Sequence, residues 1–282
     1  MARSSDPVVL ADWHAIGRIE DMPRTTRLLG QEISAQREAN GEVRVFADAD
    51  ERPVQIRYGH VWTTLGEPSR GLVEMPEFDE PNRRLITCGI VTVRTSPLRI
   101  VENFLDMAHF PYVHGDILGI EARGEVEAYT VEHRLPEDEI WATGCRFFQP
   151  KAAKAATDGQ MSEYMYRVPA PFITILYKTC PVVEGAWDLI GLFIQPRDEV
   201  TCDVHSFVLV IDETSTDVDL LHFQQMIFLQ DRGILENQVP ALMPLDPARE
   251  YAVRADGTSM AYRRWLRDKG LRFGVLPEGI EP

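Results

Sequence analysis

The first 68 residues contain no cysteine, and the whole chain of 282 has only four. Thiols so few and so irregularly spaced exclude a disulfide framework and fit a reduced, cytoplasmic interior. Long apolar runs are also missing. Stretches such as Phe207-Val-Leu-Val-Ile211 are the size of a strand, too short to span a bilayer. No basic start followed by an apolar segment marks a signal peptide. Basic residues are scarce as well: 29 Lys and Arg against 44 Asp and Glu leave a formal charge of −15. Nucleic acid and anionic membrane both require a cationic footprint, so neither is an expected partner. What remains is ordinary for a globular protein, with 44% hydrophobic and 26% charged residues. The length allows one good core, or one core and a small satellite.

Residues 1–68 read as a small β-rich unit. Trp13-His14-Ala-Ile-Gly looks like an anchor segment, and Arg27 to Gln36 follows it. Asn40-Gly41, flanked by alternating segments, is a hairpin signal. Val54 to Trp62 reads as one further strand. A unit this short is marginal alone and is expected to pack on the rest. Residues 69–282 form the larger unit. Leu85 to Val93 reads as a strand, and Ser96-Pro97 as a helix start with Ser as N-cap. The helix is expected to carry Asn103, Asp106 and His109 at three-residue steps, with Pro111 breaking it near its end. Alternating runs at 124–134, 139–149, 161–168, 171–182, 187–195 and 200–211 follow without intervening helices, which predicts an antiparallel sheet. A helix from Thr216 to Gln238 and a shorter one around Ser259 to Lys269 close the chain. The fold class is therefore α+β, a curved antiparallel sheet wrapped on one long helix.

Two histidines five apart, His109 and His114, together with a distant carboxylate, Asp231, compose a 2-His-1-carboxylate set suited to non-haem Fe(II) and O2. Asp231 has Ile227, Phe228, Ile234 and Leu235 at −4, −3, +3 and +4, so it lies on the stripe that should face the core. A buried carboxylate needs a cation, donors or a proton. Arg232 is adjacent but about 100° away around the helix. A metal ion and an arginine from elsewhere in the chain both answer that need. A histidine taken alone in such a place is more often a satisfied core or surface residue than a ligand. Four polar side chains, Asn103, Asp106, His109 and His114, amid Phe104, Leu105, Phe110 and Val113 are harder to explain as solvated surface.

The pattern Asn103-x2-Asp106-x2-His109-x4-His114 resembles the mononuclear iron motif of Rieske-type non-haem oxygenase catalytic subunits. Phe228 to Gln238, with Asp231 as third ligand, is similar to that family's second iron segment. Tyr58-Gly-His-Val-Trp62 and Tyr262-Arg-Arg-Trp-Leu266 extend the resemblance over nearly the whole chain. It implies a helix-grip (START-like) catalytic domain over 69–282 and a truncated Rieske-like domain over 1–68. The departure is as informative. A Rieske [2Fe–2S] centre takes two Cys and two His, yet Val43 to Ile56 runs where the family's two cluster loops belong. The only Cys-x-x-His, Cys202-Asp-Val-His205, sits in an alternating strand with its side chains on opposite faces.

The resemblance implies a terminal oxygenase component with mononuclear Fe(II) on His109, His114 and Asp231, O2 as co-substrate and no [2Fe–2S] cluster of its own. Electrons would come from NAD(P)H through a separate Rieske-bearing reductase. Asp106 would orient a ligand histidine and carry the electron path, bridging to a Rieske histidine of another subunit, and Asn103 would support the site. The expected outcome is hydroxylation or oxidative demethylation of a small aromatic or N-methyl heterocycle, methylxanthine-like, with contacts from residues such as Phe172, Phe193, Phe207 and Phe223. A homotrimer, or a hetero-complex with a glutathione-transferase-like structural subunit, is implied by analogy. The rivals are a non-catalytic helix-grip protein that binds a small ligand, and a structural subunit of an oxygenase complex.

Overall fold

The structure, a computed structural model, describes residues 3–150 and 159–279. A short helix α1 (Pro7–Leu10) opens the chain, capped by Asp6, whose carboxylate accepts from the Val8 N–H. Seven strands follow: β1 (His14–Arg18), β2 (Arg24–Leu28), β3 (Gln31–Arg37), β4 (Val43–Ala47), β5 (Asp50–Arg52), β6 (Val54–Arg57) and β7 (His60–Thr63). They form one four-stranded sheet, β2-β3-β4-β5, and one three-stranded sheet, β1-β7-β6. The Asn40-Gly41 signal falls in the connection between β3 and β4, where Gly41 takes φ +88°. Val54 to Trp62 is two strands rather than the expected one. Tyr58 and Gly59 both adopt positive φ, which closes a two-residue hairpin inside the run.

The larger unit begins with β8 (Arg84–Val93), then helices α2 (Pro97–Leu105) and α3 (Phe110–Val113). Six strands come next: β9 (Thr130–Arg134), β10 (Glu139–Gln149), β11 (Gln160–Ala170), β12 (Ile173–Thr179), β13 (Trp187–Asp198) and β14 (Thr201–Val210). They make a seven-stranded antiparallel sheet in the order β8-β14-β13-β12-β11-β10-β9. Only the end of the 124–134 run is a strand. Its ladder to β10 stops at Thr130 opposite Thr143, beside Gly144 with φ +69°. The chain ends with α4 (Asp217–Leu235) and α5 (Gly257–Asp268). Thr216 and Asp219 start α4 with a reciprocal capping box.

The sheet packs α4 on one face and the N-terminal strands on the other. On the latter, Trp13, Tyr58 and Trp62 pack with Phe193, Phe207 and Leu209, and the Trp62 ring meets Phe193 edge-on at 4.6 Å. Another continuous core runs from Val9, Ile16 and Leu28 through α2 to Tyr262 and Leu266 of α5. Residues from 1–68 and from 69–282 thus share apolar packing. Helix α2 is also fixed by charge. Buried Arg99 donates to Glu102 at 2.8 Å and Glu250 at 2.6 Å, and Arg263 of α5 donates to the same two carboxylates. Breaking such a buried network costs about 3–5 kcal/mol, because the remaining charge is stranded.

Candidate metal centre

Helix α2 ends at Leu105, four residues short of His109, which the sequence pattern places on it. Asp106 leaves the helix with φ −84°, ψ 124°, and its Oδ1 accepts from the Ala108 N–H at 2.7 Å. This turn bonds the side chain to its own backbone two residues on, which competes with continued helix. The break therefore sits at Asp106, and Pro111 has the reverse of its expected role: it lies in the first turn of α3, where its missing N–H costs nothing. His109 is the N-cap of α3 and His114 its C-cap. The short helix is seated by Phe110, which meets Phe147 edge-on at 5.4 Å. Gly119 lets the chain pass behind it, for a Cβ there would lie 2.8 Å from the Pro111 nitrogen.

Asp231 reaches the same point from α4. Phe228 and Leu235 are buried beside it as the apolar stripe predicts, although Ile234 is exposed. Arg232 turns away to Glu236, at 3.1 Å. The ligand atoms of His109, His114 and Asp231 all lie within 4.8 Å of one another. Asp231 Oδ1 is 2.9 Å from His114 Nε2 and 3.3 Å from His109 Nε2, and the two Nε2 atoms are 3.2 Å apart. The opposite ring nitrogens both face acceptors. His109 Nδ1 donates to Asp106 Oδ2 at 3.2 Å, and His114 Nδ1 donates to Gln230 Oε1 at 2.8 Å. With both Nδ1 atoms protonated, two lone pairs and a carboxylate oxygen converge on one point.

Three electron-rich atoms at that spacing need a positive charge among them. Without a metal, a proton takes the place: burial works against the His109 imidazolium, but Asp106 and Asp231 raise its pKa to about 9. Burial likewise opposes the Asp231 carboxylate, yet His109 and His114 hold it below the usual range. The donor set, two neutral imidazoles and one carboxylate, fits a divalent first-row metal with open positions. Asp106 and Gln230 face the outer ring nitrogens, and hydrogen bonds there would fix the tautomers for metal binding. Gln230 escaped the sequence reading; its place one residue before Asp231 was the available signal.

The site lies between two cavities. One, of about 140 Å3, runs between α4 and the sheet from His109, His114 and Asp231 to Lys178, Asp188 and Asp212, with Asn103, Phe104 and Phe110 near the histidine end. The other, of about 480 Å3, lies on the Asp106 side and is lined by Asn103, Asp106, Ile234 and Tyr251 among others. Asn103 borders both. Of the four phenylalanines expected near a substrate, only Phe223 lines the first cavity. Phe193 and Phe207 stack on each other at 4.5 Å on the opposite face of the sheet, and Phe172 packs between His14 and Phe273. Strand alternation sends Phe193 and Phe207 there, since they share parity with Leu189 and Leu209 on their strands rather than with Ile190 and Val208, whereas Phe172 lies in the turn between β11 and β12.

The remaining sequence candidates are structural. Cys202 Sγ points to the Val93 and Thr95 carbonyls, while His205 Nε2 pairs with Gln195. Burial holds His205 well below the usual histidine range, and His60 at about 4. Among the described residues, no helix is long and apolar enough to cross a membrane.

The family model described as the vanillate O-demethylase oxygenase C-terminal domain matches residues 93–271. Probable methylxanthine N7-demethylase NdmC of Pseudomonas sp. (strain TJI-51) is 46% identical over 273 residues, covering 95% of this chain and 96% of that protein. Methylxanthine N1-demethylase NdmA of Pseudomonas putida is 26% identical over 239 residues, 81% of this chain. That match spans 63% of the NdmA sequence, less than two thirds of its length. Among solved structures, NdmA of Pseudomonas putida CBB5 with caffeine superposes with a TM-score of 0.77 at 17% identity, covering 93% of this chain and 92% of that one. Dicamba monooxygenase bound to dicamba gives 0.70 at 14% identity, over 93% and 97%. These two likenesses bear on the fold, and both share the arrangement of sheet and helices.

Proposed function

The chain belongs to the family of oxygenases that carry the vanillate O-demethylase C-terminal domain, and from that premise we propose that it is the oxygenase component of an N-demethylase, with one Fe(II) held by His109, His114 and Asp231. The observation that carries this is the convergence of their three lone-pair atoms within 4.8 Å, with both outer imidazole nitrogens already committed to acceptors. When bound, the iron supplies the O2 chemistry that hydroxylates a methyl carbon, which then leaves as formaldehyde. N-methyl heterocycles are the favoured substrates because the similar proteins NdmC and NdmA are named for methylxanthine demethylation.

The protein's own part is positioning. Asp106 and Gln230 hold the two imidazoles with Nε2 toward the metal. Phe104, Phe110 and Phe228 line the cavity near the ligands and keep that end dry, while Asn103 offers an amide beside them. Asp106 keeps 30% of its side chain exposed toward the second cavity. Ile234 and Tyr251 of its lining, and Val239 and Val253 close by in the chain, are exposed apolar side chains. This favours the docking there of a Rieske domain from another chain, fed by NAD(P)H through a reductase, with electrons entering at Asp106. On this reading residues 1–68 are a Rieske-like remnant without cluster ligands, and residues 69–282 the catalytic domain.

The test supplies iron-loaded protein with a Rieske-bearing reductase, NADH, O2 and 7-methylxanthine. Formaldehyde released in step with demethylated product supports the assignment. Iron-replete protein that leaves 7-methylxanthine, and the other methylxanthines offered in its place, untouched under those conditions refutes it.

A further inference from the structure

The cavity beside the metal site is long, and its far end is polar. Lining residues of α4 run from Asp231 back to Leu220, eleven residues or about 16 Å along the helix. At the far end three strands present a cross-strand row. Tyr164 of β11 lies opposite Lys178 of β12, and Lys178 opposite Asp188 of β13. All three line the cavity, and such neighbours stand about 5 Å apart at their Cβ atoms. The next row toward the metal, Tyr166, Leu176, Ile190 and Val208, is apolar but for one hydroxyl.

This row is unusual for a sheet core. Lys178 is 9% exposed and Tyr164 1%. The hydroxyls of Tyr164 and Tyr166 have no hydrogen-bond partner among the described residues. Asp188 receives the Ile211 N–H at 3.0 Å, which leaves further lone pairs on its carboxylate. Burial lowers Lys178 to about 8 and raises Asp188, so neither charge is well solvated. An apolar core residue at any of the three positions would avoid these costs. Lys178 and Asp188 balance each other in charge, so a neutral ligand is favoured over an ion. Donors beside an acceptor fit a ring carbonyl beside a ring N–H.

We infer that the Tyr164–Lys178–Asp188 row is a substrate subsite that recognises the lactam edge of a planar N-methyl heterocycle, with Lys178 and Tyr164 donating to a ring carbonyl and Asp188 accepting from the adjacent ring N–H. The inference rests on the demethylase assignment above and adds what that assignment lacks, a basis for choosing among methylated rings. A ring whose nitrogens at this edge are all methylated loses the bond to Asp188. Apolar walls from Leu192, Phe223 and Ile227 contribute contact but no such discrimination.

The test compares wild type, Lys178→Met and Tyr164→Phe by calorimetric titration with 7-methylxanthine and with 1,3,7-trimethylxanthine, followed by kinetics of the iron-loaded enzymes. Losing a hydrogen bond from a charged donor should weaken 7-methylxanthine binding about ten- to a hundredfold in Lys178→Met. Tyr164→Phe, which removes one oxygen and keeps the ring, should weaken it about two- to tenfold. The change should appear in KM with kcat largely kept, and preference for 7-methylxanthine over the trimethylated ring should shrink in Lys178→Met. If Lys178→Met fails to fold, Tyr164→Phe alone decides. Unchanged affinity and unchanged discrimination in the folded variants overturn the subsite and leave the demethylase assignment standing. Failure of wild type to bind either ring overturns both.

Discussion

Replacing Asp231 with asparagine keeps the volume of the side chain and removes its charge from between two imidazoles. In the metal-free protein Asp231 and Asp106 together raise His109 from 6.5 to about 9. A shift of that size is linked to about 2.5 kcal/mol of stability at pH 7. His109 is 14% exposed at its side chain, so solvent screening takes little from this figure. Asp106 remains in the variant, so Asp231→Asn should cost about 1–2 kcal/mol at pH 7. The sign follows from the raised pKa. The contribution is complete below about pH 6.5, falls as pH rises, and is gone above about 9. Urea unfolding of chelator-treated wild type and variant from pH 6 to 10 should show two curves that converge at the alkaline end. Fe(II) affinity should fall by more than about a hundredfold, beyond the usual loss on mutating an outer-sphere partner. A stability gap that stays constant across that pH range would refute the proposed charge balance, and full retention of iron would refute the ligand assignment.

Asp106→Asn should retain iron within about tenfold of wild-type affinity while losing turnover, because Asn still reaches His109 but alters its hydrogen bond; metal content and formaldehyde release measured on one preparation check this. Gly119→Val puts a side chain against the Pro111 backbone, displacing α3, and should cost about 1–3 kcal/mol with reduced iron content; thermal unfolding and metal analysis report it. Iron uptake by metal-free protein should release close to one proton per ion at pH 7.5, where His109 is still protonated; a pH-stat titration that finds no proton release contradicts the arrangement. The four buried cysteines, with burial pushing Cys88 and Cys145 up to about 12, should resist a thiol reagent at pH 8 until the protein is unfolded.

Much of this molecule was legible in its sequence because strand alternation and helix caps are local. The boundaries of β10 and α4 lie within a few residues of the alternating run at 139–149 and the pattern from Thr216. That His109, His114 and Asp231 come together was legible for a different reason: a carboxylate at a core position needs a cation, donors or a proton, and the two histidines lie five apart in one polar cluster. What escaped depended on competition the pattern does not record. Three-residue spacing favours continued helix through His109, yet the Asp106 side chain captures the Ala108 N–H and ends it. Val54 to Trp62 alternates like one strand, but the two positive-φ residues at its centre fold it back. Phe193 and Phe207 look like cavity walls until the register shows which face they occupy. The polar row escaped because Tyr164, Lys178 and Asp188 become neighbours only when three strands are aligned.

The most direct test of the metal centre counts iron and acid-labile sulfide per chain in protein purified without oxygen, beside the Asp231→Asn variant. A facial triad without a cluster predicts about one iron and no sulfide in wild type, with the iron lost in the variant. Wild type that takes up no iron even after reconstitution, or a variant that holds as much as wild type, would contradict an iron site built from His109, His114 and Asp231.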